Sequence, residues 1–169
     1  MDIKEVIQKR YSCRSYKDTP VPDEKLKSIL EAARLAPSAS NRQPYKFIIV
    51  KDKEKREKLA EAAGQSFIGE APIIIAGVSL EPEKIMGCEV PTYAVDVAIA
   101  MEHIALQAYS EGLGTCWIGA FSQQQAKKIL EISEEYKIVA LMPLGYPADS
   151  SGLKDRKNLD ELVSYEKFD

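Results

Sequence analysis

The sequence predicts one central sheet with helices on its faces, an α+β or α/β fold, and three observations carry that expectation. Strand-like and helix-like segments alternate along the chain. Two of the strand segments, Ile73 to Val78 and Ile138 to Leu144, are nearly continuous apolar runs, as expected of strands covered on both sides. Most helical segments carry a single apolar stripe, so each has a layer to cover. A length of 169 residues suits one domain, 1–169, with a core about two layers deep.

Each element has its own local signal. Ile3, Val6 and Ile7 recur at helical spacing behind Asp2, a good N-cap, and predict a helix ending near Lys9. Leu26, Ile29, Leu30 and Ala33 form a second stripe that starts after Pro22-Asp23 and stops before Pro37. Phe47 to Val50, β-branched and aromatic, reads as a strand. Asp52 caps a charged helix carrying Leu59, Ala62 and Ala63, which Gly64 closes. The buried strand Ile73 to Val78 follows Pro72.

Thr92 to Glu111 predicts a helix apolar nearly all round, its narrow polar stripe made of Asp96, His103, Gln107 and Ser110. Such a helix is covered on most sides, either as the central helix of the protomer or by a second subunit. Gly112-Leu113-Gly114 ends it, and Thr115 to Ile118 reads as a strand. Ser122 and Gln125 form a capping-box pair for a helix on Ala126, Ile129 and Leu130. The strand Ile138 to Leu144 is interrupted by Pro143, and Gly145-Tyr146-Pro147 turns into a polar loop, 148–158. Leu159, Leu162 and Val163 predict a short last helix, with Ser164 to Asp169 trailing.

Composition excludes several classes. The net charge is −3, with no dense Lys/Arg stripe clear of balancing acids, which argues against a nucleic-acid partner. No apolar run reaches the length of a membrane span. The opening MDIKEVIQKR lacks the apolar stretch of a secretory signal, so the expected location is the cytoplasm. Cys13, Cys88 and Cys116 are odd in number and widely spaced, which fits reduced thiols better than a disulfide framework or a zinc site. His103 is the only histidine and sits in the apolar helix, as a core or interface residue rather than a general base. There is no GxGxxG after a strand, no GxxxxGK[ST], no HExxH and no GxSxG, so hydrolase, kinase and Rossmann readings lose support.

Four clusters remain. Arg10-Tyr11-Ser12-Cys13-Arg14 brackets a hydroxyl with two guanidinium forks, which suits a phosphate and equally suits a cationic helix C-terminus. Pro37-Ser38-Ala39-Ser40-Asn41-Arg42-Gln43-Pro44 combines small residues with amides, as a close-approach loop for a flat ligand or an ordinary connection. Gly112 to Phe121 contains Trp117-Ile118-Gly119-Ala120, which could present bare N–H groups to a ring or simply lead into a core strand. Lys154-Asp155-Arg156-Lys157 is a charged loop that means little alone.

In this order, the clusters make the chain similar to the FMN-dependent nitroreductase family over nearly its whole length. The matching motifs are R-x-S-x-R at Arg10, Ser12 and Arg14, and P-S-x-x-N-x-Q-P at Pro37, Ser38, Asn41, Gln43 and Pro44. They continue with G-L-G-T leading into W-I-G from Gly112 to Gly119, then Gly145-Tyr146-Pro147 followed by Lys154 and Arg156. The resemblance implies an α+β, three-layer fold with a mostly antiparallel sheet, built as an intertwined homodimer with two sites at its interface. It implies FMN as cofactor, NADH or NADPH as reductant, and ping-pong reduction of nitro compounds, quinones or similar small acceptors. Arg10, Ser12, Arg14, Lys154 and Arg156 would surround the FMN phosphate, with main-chain contacts from Tyr11. Pro37, Ser38, Ala39 and Asn41 would reach the ribityl chain and ring from the other subunit. Trp117, Ile118, Gly119 and Ala120 would line the isoalloxazine, with an N–H near N5. Gln65 is a looser candidate for a further ring contact.

No side chain is expected to act as acid or base, because the flavin carries the chemistry. The tail around Tyr165 and Phe168 would wrap the partner. Two departures matter: only about ten residues, Glu81 to Pro91, stand where larger relatives carry a helical insertion, and Gly119 stands where some place an acid. Rival readings are a specialised flavin enzyme of the same fold (dehalogenation, flavin fragmentation or enone reduction), a non-turnover FMN-binding redox sensor, and a domain that binds no cofactor.

Overall fold

The computed structural model of the chain describes residues 2–150 and 155–168. Its elements run α1 Ile3–Lys9, α2 Asp23–Arg34, β1 Tyr45–Val50, α3 Lys53–Ala63, α4 Phe67–Glu70, β2 Ile73–Ser79, α5 Thr92–Ser110, β3 Gly114–Thr115, α6 Gln123–Leu130 and β4 Lys137–Gly145. Two 3-10 turns, Ala39–Asn41 and Leu159–Glu161, lie outside these. The strands form one sheet in the order β1-β2-β4-β3, and every adjacent pair is antiparallel. The fold is therefore α+β, with the antiparallel sheet expected from the resemblance.

Strand alternation sorts side chains between two cores. Ile73 and Ile75 of β2 join Ala140, Met142 and Leu144 of β4 under α2 and α5. Ile74, Ala76 and Val78 join Ile138 and Leu141 beneath α3, α4 and α6. Because β2 is covered on both faces it has no solvent side, which explains its continuous apolar run. At Gly77 a Cβ would lie 2.6 Å from Met101 Sδ and 2.8 Å from Val97 Cγ1, so glycine sets how closely α5 approaches the sheet. α5 buries Val97, Ala100, Met101, Ile104, Ala105 and Ala108 against this layer, which makes it the central helix of the protomer.

Local caps work as the residue types dictate. Asp2 Oδ1 accepts from Glu5 N–H and Asp52 Oδ1 from Lys55 N–H, both at 2.8 Å. Gly64 closes α3 at φ 63°. Ser122 accepts from Gln125 N–H at 3.4 Å, but the reciprocal bond of a capping box is not made among the described residues. Gln123 is the engaged amide: it donates to Ile138 O and accepts from Ile138 N–H, each at 2.8 Å.

The structure corrects four expectations. The strand expected over Thr115 to Ile118 stops at Thr115, and Ile118 rejoins the sheet only through an isolated bridge to Leu141. Pro143 does not interrupt β4; it lies in register opposite Ile74, and a proline forfeits only its own donor. Leu159, Leu162 and Val163 form no helix beyond the single turn Leu159–Glu161; they stay exposed, with no apolar cluster to cover among the described residues. Asp96, read as part of a polar stripe, is 2% exposed. α4 had no sequence signal that was recognised.

Candidate functional site

The segment after α1 is threaded between β3 and the exit of β4. Ser12 bridges Thr115 in parallel, and Cys13 N–H donates to Thr115 O at 2.8 Å. On the other side Lys17 N–H donates to Tyr146 O at 2.8 Å and Ala148 N–H to Ser15 O at 3.0 Å. Tyr11 Oη donates to Asp149 O at 2.9 Å, drawing the late loop to the same place. Gly114 permits this packing, since a Cβ there would lie 2.7 Å from Cys13 Cβ.

The side chains of this segment differ in role. Arg10 is half-buried, with Nε 3.3 Å from Glu102 Oε1. Arg14 is exposed, and its Nη1 donates to Ser12 O at 3.4 Å. Tyr16 is buried and donates from Oη to Cys13 O at 2.9 Å. Burial pushes the Tyr11 and Tyr16 hydroxyls and the Cys13 thiol above their ordinary values, so all three stay protonated at neutral pH. Arg10 and Arg14 are therefore the charges this segment presents.

The Pro37 to Asn41 loop is held by few but definite bonds. Ser40, Asn41 and Gln43 all have positive φ, at 52°, 54° and 54°. Non-glycine residues in this region store strain that neighbouring contacts must maintain. Gln43 N–H donates to Ser38 Oγ at 3.0 Å, and Arg42 Nη2 donates to both carboxylate oxygens of Glu81, at 2.7 and 2.6 Å. Ala39 N–H donates to Asp96 Oδ1 of α5 at 3.0 Å. Ser40 and Asn41 are left exposed at the tip. Among the described residues, no hydrogen bond joins this loop to 10–14 or 117–120.

Beyond β3 the chain passes through Cys116 and Trp117 to Ile118. Ile118 exchanges both backbone bonds with Leu141, at 2.9 and 3.0 Å, so its N–H is already spent. Among the described residues, the N–H groups of Gly119 and Ala120 make no backbone hydrogen bond, and both residues are exposed. Trp117 is 43% exposed, and a Cβ on Gly119 would meet its Nε1 at an ordinary 3.5 Å. An acidic side chain at Gly119 would thus fit; the chain simply lacks one.

The bridge between Ser12 and Thr115 sets Arg10, Ser12 and Arg14 beside the strand that leads into Trp117 to Ala120. Arg156 is exposed, and among the described residues its one hydrogen bond runs from Nη1 to Asp155 O at 3.2 Å, with none to the segment 10–14. Lys154 lies outside the described residues. Gln65 lines a groove of about 950 Å³ with Tyr16, Arg56 and Gly64 rather than with the residues above. Sequence reasoning missed the pairing of Glu102 with Arg10 and the bond from the loop to Asp96. A carboxylate one turn into an otherwise apolar helix was the available signal for Asp96.

Known proteins show the same arrangement of chain. The model of the Nitroreductase family matches residues 7–73 and 64–146. The chain is 37% identical over 184 residues to a Bacillus subtilis protein named FMN reductase [NAD(P)H], covering 91% of this chain and 74% of that one. A solved FMN-dependent nitroreductase from Clostridium difficile superposes with a TM-score of 0.86 at 30% identity, covering 96% and 98% of the two chains. The NADPH:FMN oxidoreductase of Vibrio harveyi, solved with NAD+, gives 0.90 at 27% identity, covering 99% and 78%. Among the described residues no helix is long and apolar enough to cross a membrane.

Proposed function

The chain belongs to the nitroreductase family, and on that premise we propose that it is an FMN-dependent NAD(P)H oxidoreductase. It reduces nitro compounds, quinones or similar small acceptors by a ping-pong exchange, as a single FMN-binding domain, 1–169, in the cytoplasm. The observation that carries this reading is the bridge between Ser12 and Thr115, which sets a cationic, hydroxyl-bearing segment beside the strand that leads to Gly119 and Ala120, whose amides make no backbone hydrogen bond among the described residues.

The donor set fits FMN. Arg10, Ser12 and Arg14 offer guanidinium forks and a hydroxyl, the groups that recognise a phosphate dianion. Arg156, with no acidic partner among the described residues, is free to join them, with Lys154 beside it in the sequence. The N–H groups of Gly119 and Ala120 are donors for ring heteroatoms, and Trp117 supplies apolar surface beside them, whereas Ile118 is 3% exposed and turns into the core. Bound FMN supplies the centre that accepts a hydride from NAD(P)H and passes reducing equivalents to the acceptor. Protein side chains bind and orient without moving a proton, in keeping with the neutral Tyr11, Cys13 and Tyr16.

A homodimer completes the site in this reading. Among the described residues, no hydrogen bond joins the Pro37 to Asn41 loop to the other two segments of its own chain, which suits service to a partner's flavin. A second subunit would also cover apolar groups left exposed: Ile3 at 68%, Ile7 at 58%, and Leu159, Tyr165 and Phe168 in the tail. Ile3 also borders a groove of about 410 Å³ between α1 and α5, lined by Val6, His103 and Leu106. The link from Glu81 to Pro91 is short, with Ile85 bridging Pro91, and adds no helix that could roof the flavin.

The test is spectral. A purified protein that releases FMN in acid, bleaches anaerobically with NADH or NADPH and recovers with a nitroaromatic or quinone meets the proposal. Bound flavin that resists both nicotinamides would replace it with the sensor reading, and failure to take up added FMN would remove it.

A further inference from the structure

We propose that Asp96 is a positioning residue for the flavin site, holding the strained 37–41 loop in its binding conformation through the N–H of Ala39. The inference rests on the flavin reading above, and extends it to a residue of α5 outside the flavin-contacting set. Asp96 is 2% exposed, and its hydrogen bond among the described residues is the one from Ala39 N–H to Oδ1 at 3.0 Å. Its other oxygen, Oδ2, is buried and has no hydrogen-bond partner among the described residues, and the same holds for the Tyr45 hydroxyl at the start of β1. Burial first, and the Asp96 charge second, raise the Tyr45 hydroxyl above its ordinary value, so the two groups share one desolvated region.

A carboxylate kept only for packing would be replaced at a gain by an apolar side chain, because burying a half-satisfied charge is costly. What Asp96 does make is a charge-assisted bond to the loop, one residue before the strained Ser40 and Asn41. Strain of this kind persists where surrounding contacts over-determine it, and it concentrates at ligand-binding segments. Ser38 Oγ clamps the loop from within, through Gln43 N–H. Asp96 clamps it to the rigid central helix. Losing the second clamp lets the loop relax, and part of the binding energy must then reorder it.

Three substitutions test this on the full-length protein, with flavin affinity read by fluorescence quenching. Asp96→Ala removes the acceptor, Ala39→Pro removes the donor, and Asp96→Asn keeps an acceptor of the same shape. Proline is tolerated at Ala39 because it opens a helical turn and follows Ser38, which is extended at φ −142°. Asp96→Ala and Ala39→Pro should each weaken flavin binding about tenfold, the scale of one charge-assisted hydrogen bond. The loss should be equal for FMN and riboflavin, because the loop serves the ribityl chain and ring and not the phosphate. Asp96→Asn should recover most of the affinity, and Ala39→Pro combined with Asp96→Ala should lose no more than either alone.

Wild-type affinity in Ala39→Pro, or additive losses in the double variant, would overturn the proposal. So would an Asp96→Asn protein as weak as Asp96→Ala. Should Asp96→Ala fail to fold, Ala39→Pro and Asp96→Asn decide the matter between them. A wild-type protein that takes up no flavin would instead overturn the functional reading, and this inference with it.

Discussion

Arg10 Nε stands 3.3 Å from Glu102 Oε1, joining the end of α1 to the outer side of α5. The carboxylate therefore holds the guanidinium that the phosphate reading needs, and offsets part of its charge. Both side chains reach solvent, at 24% and 51%, so the pair adds little to stability. Glu102→Gln should leave the melting temperature nearly unchanged and tighten FMN about two- to threefold at low salt, an effect that screening erases at high salt. Riboflavin should bind as before. If riboflavin tightened equally, Arg10 would not face the phosphate.

Arg156 is exposed and carries no acidic partner among the described residues, so its charge is available to a ligand. Arg156→Ala should weaken FMN by about 1–3 kcal/mol, the scale of a hydrogen bond between charged groups. Riboflavin affinity should change much less. A titration calorimeter run on both ligands checks the difference, and equal losses would place Arg156 away from the phosphate.

Legibility in the sequence followed the range of the interaction. Caps at Asp2, Asp52 and Gly64 are local and were readable, as was β2, whose burial on both faces writes itself as an apolar run. β3 was overread because it is an edge strand that pairs at Gly114 and Thr115 only, so its later residues carry apolar character for other reasons. Pro143 reads as a break in the sequence, although a proline in a strand costs one donor and no more. At the site, the Arg10 to Arg14 motif was visible and its union with β3 was not. Asp96 reads as one of a narrow polar stripe because helical periodicity cannot see a loop arriving from 57 positions away. Glu102 was missed for the same reason.

Alkaline pH should expose the buried acids. The Tyr11 and Tyr16 hydroxyls and the Cys13 thiol lie above ordinary values of 10.0, 10.0 and 9.0, chiefly through burial. The unfolded chain releases these protons first, so the native state binds more of them at high pH. Their contribution is complete below pH 9 and declines as pH rises through the thiol and phenol range. Urea melts from pH 7 to 11 should show a plateau and then a fall. Tyr16→Phe should lose about 1 kcal/mol at pH 7, for the bond to Cys13 O, and decline less steeply above pH 10. An unchanged slope would mean that Tyr16 ionises as freely in the native protein as in the unfolded chain.

Gly77 tests how α5 is seated, and through α5 the Asp96 clamp. A Cβ at this position would lie 2.6 Å from Met101 Sδ and 2.8 Å from Val97 Cγ1. Met101 is unbranched and can swing aside, but Val97 is stiff and 1% exposed, so the helix itself must move. Overpacking of this kind costs about 1–3 kcal/mol, which a urea melt of Gly77→Ala should show as a lower midpoint at unchanged slope. Val97 follows Asp96 in the chain, so lifting the helix there also lengthens the bond to Ala39 N–H. Gly77→Ala should therefore weaken FMN and riboflavin together, while the combined Gly77→Ala/Val97→Ala protein, relieved of the stiff contact, recovers flavin affinity. Recovery of stability without recovery of affinity would separate the seat of α5 from the flavin loop.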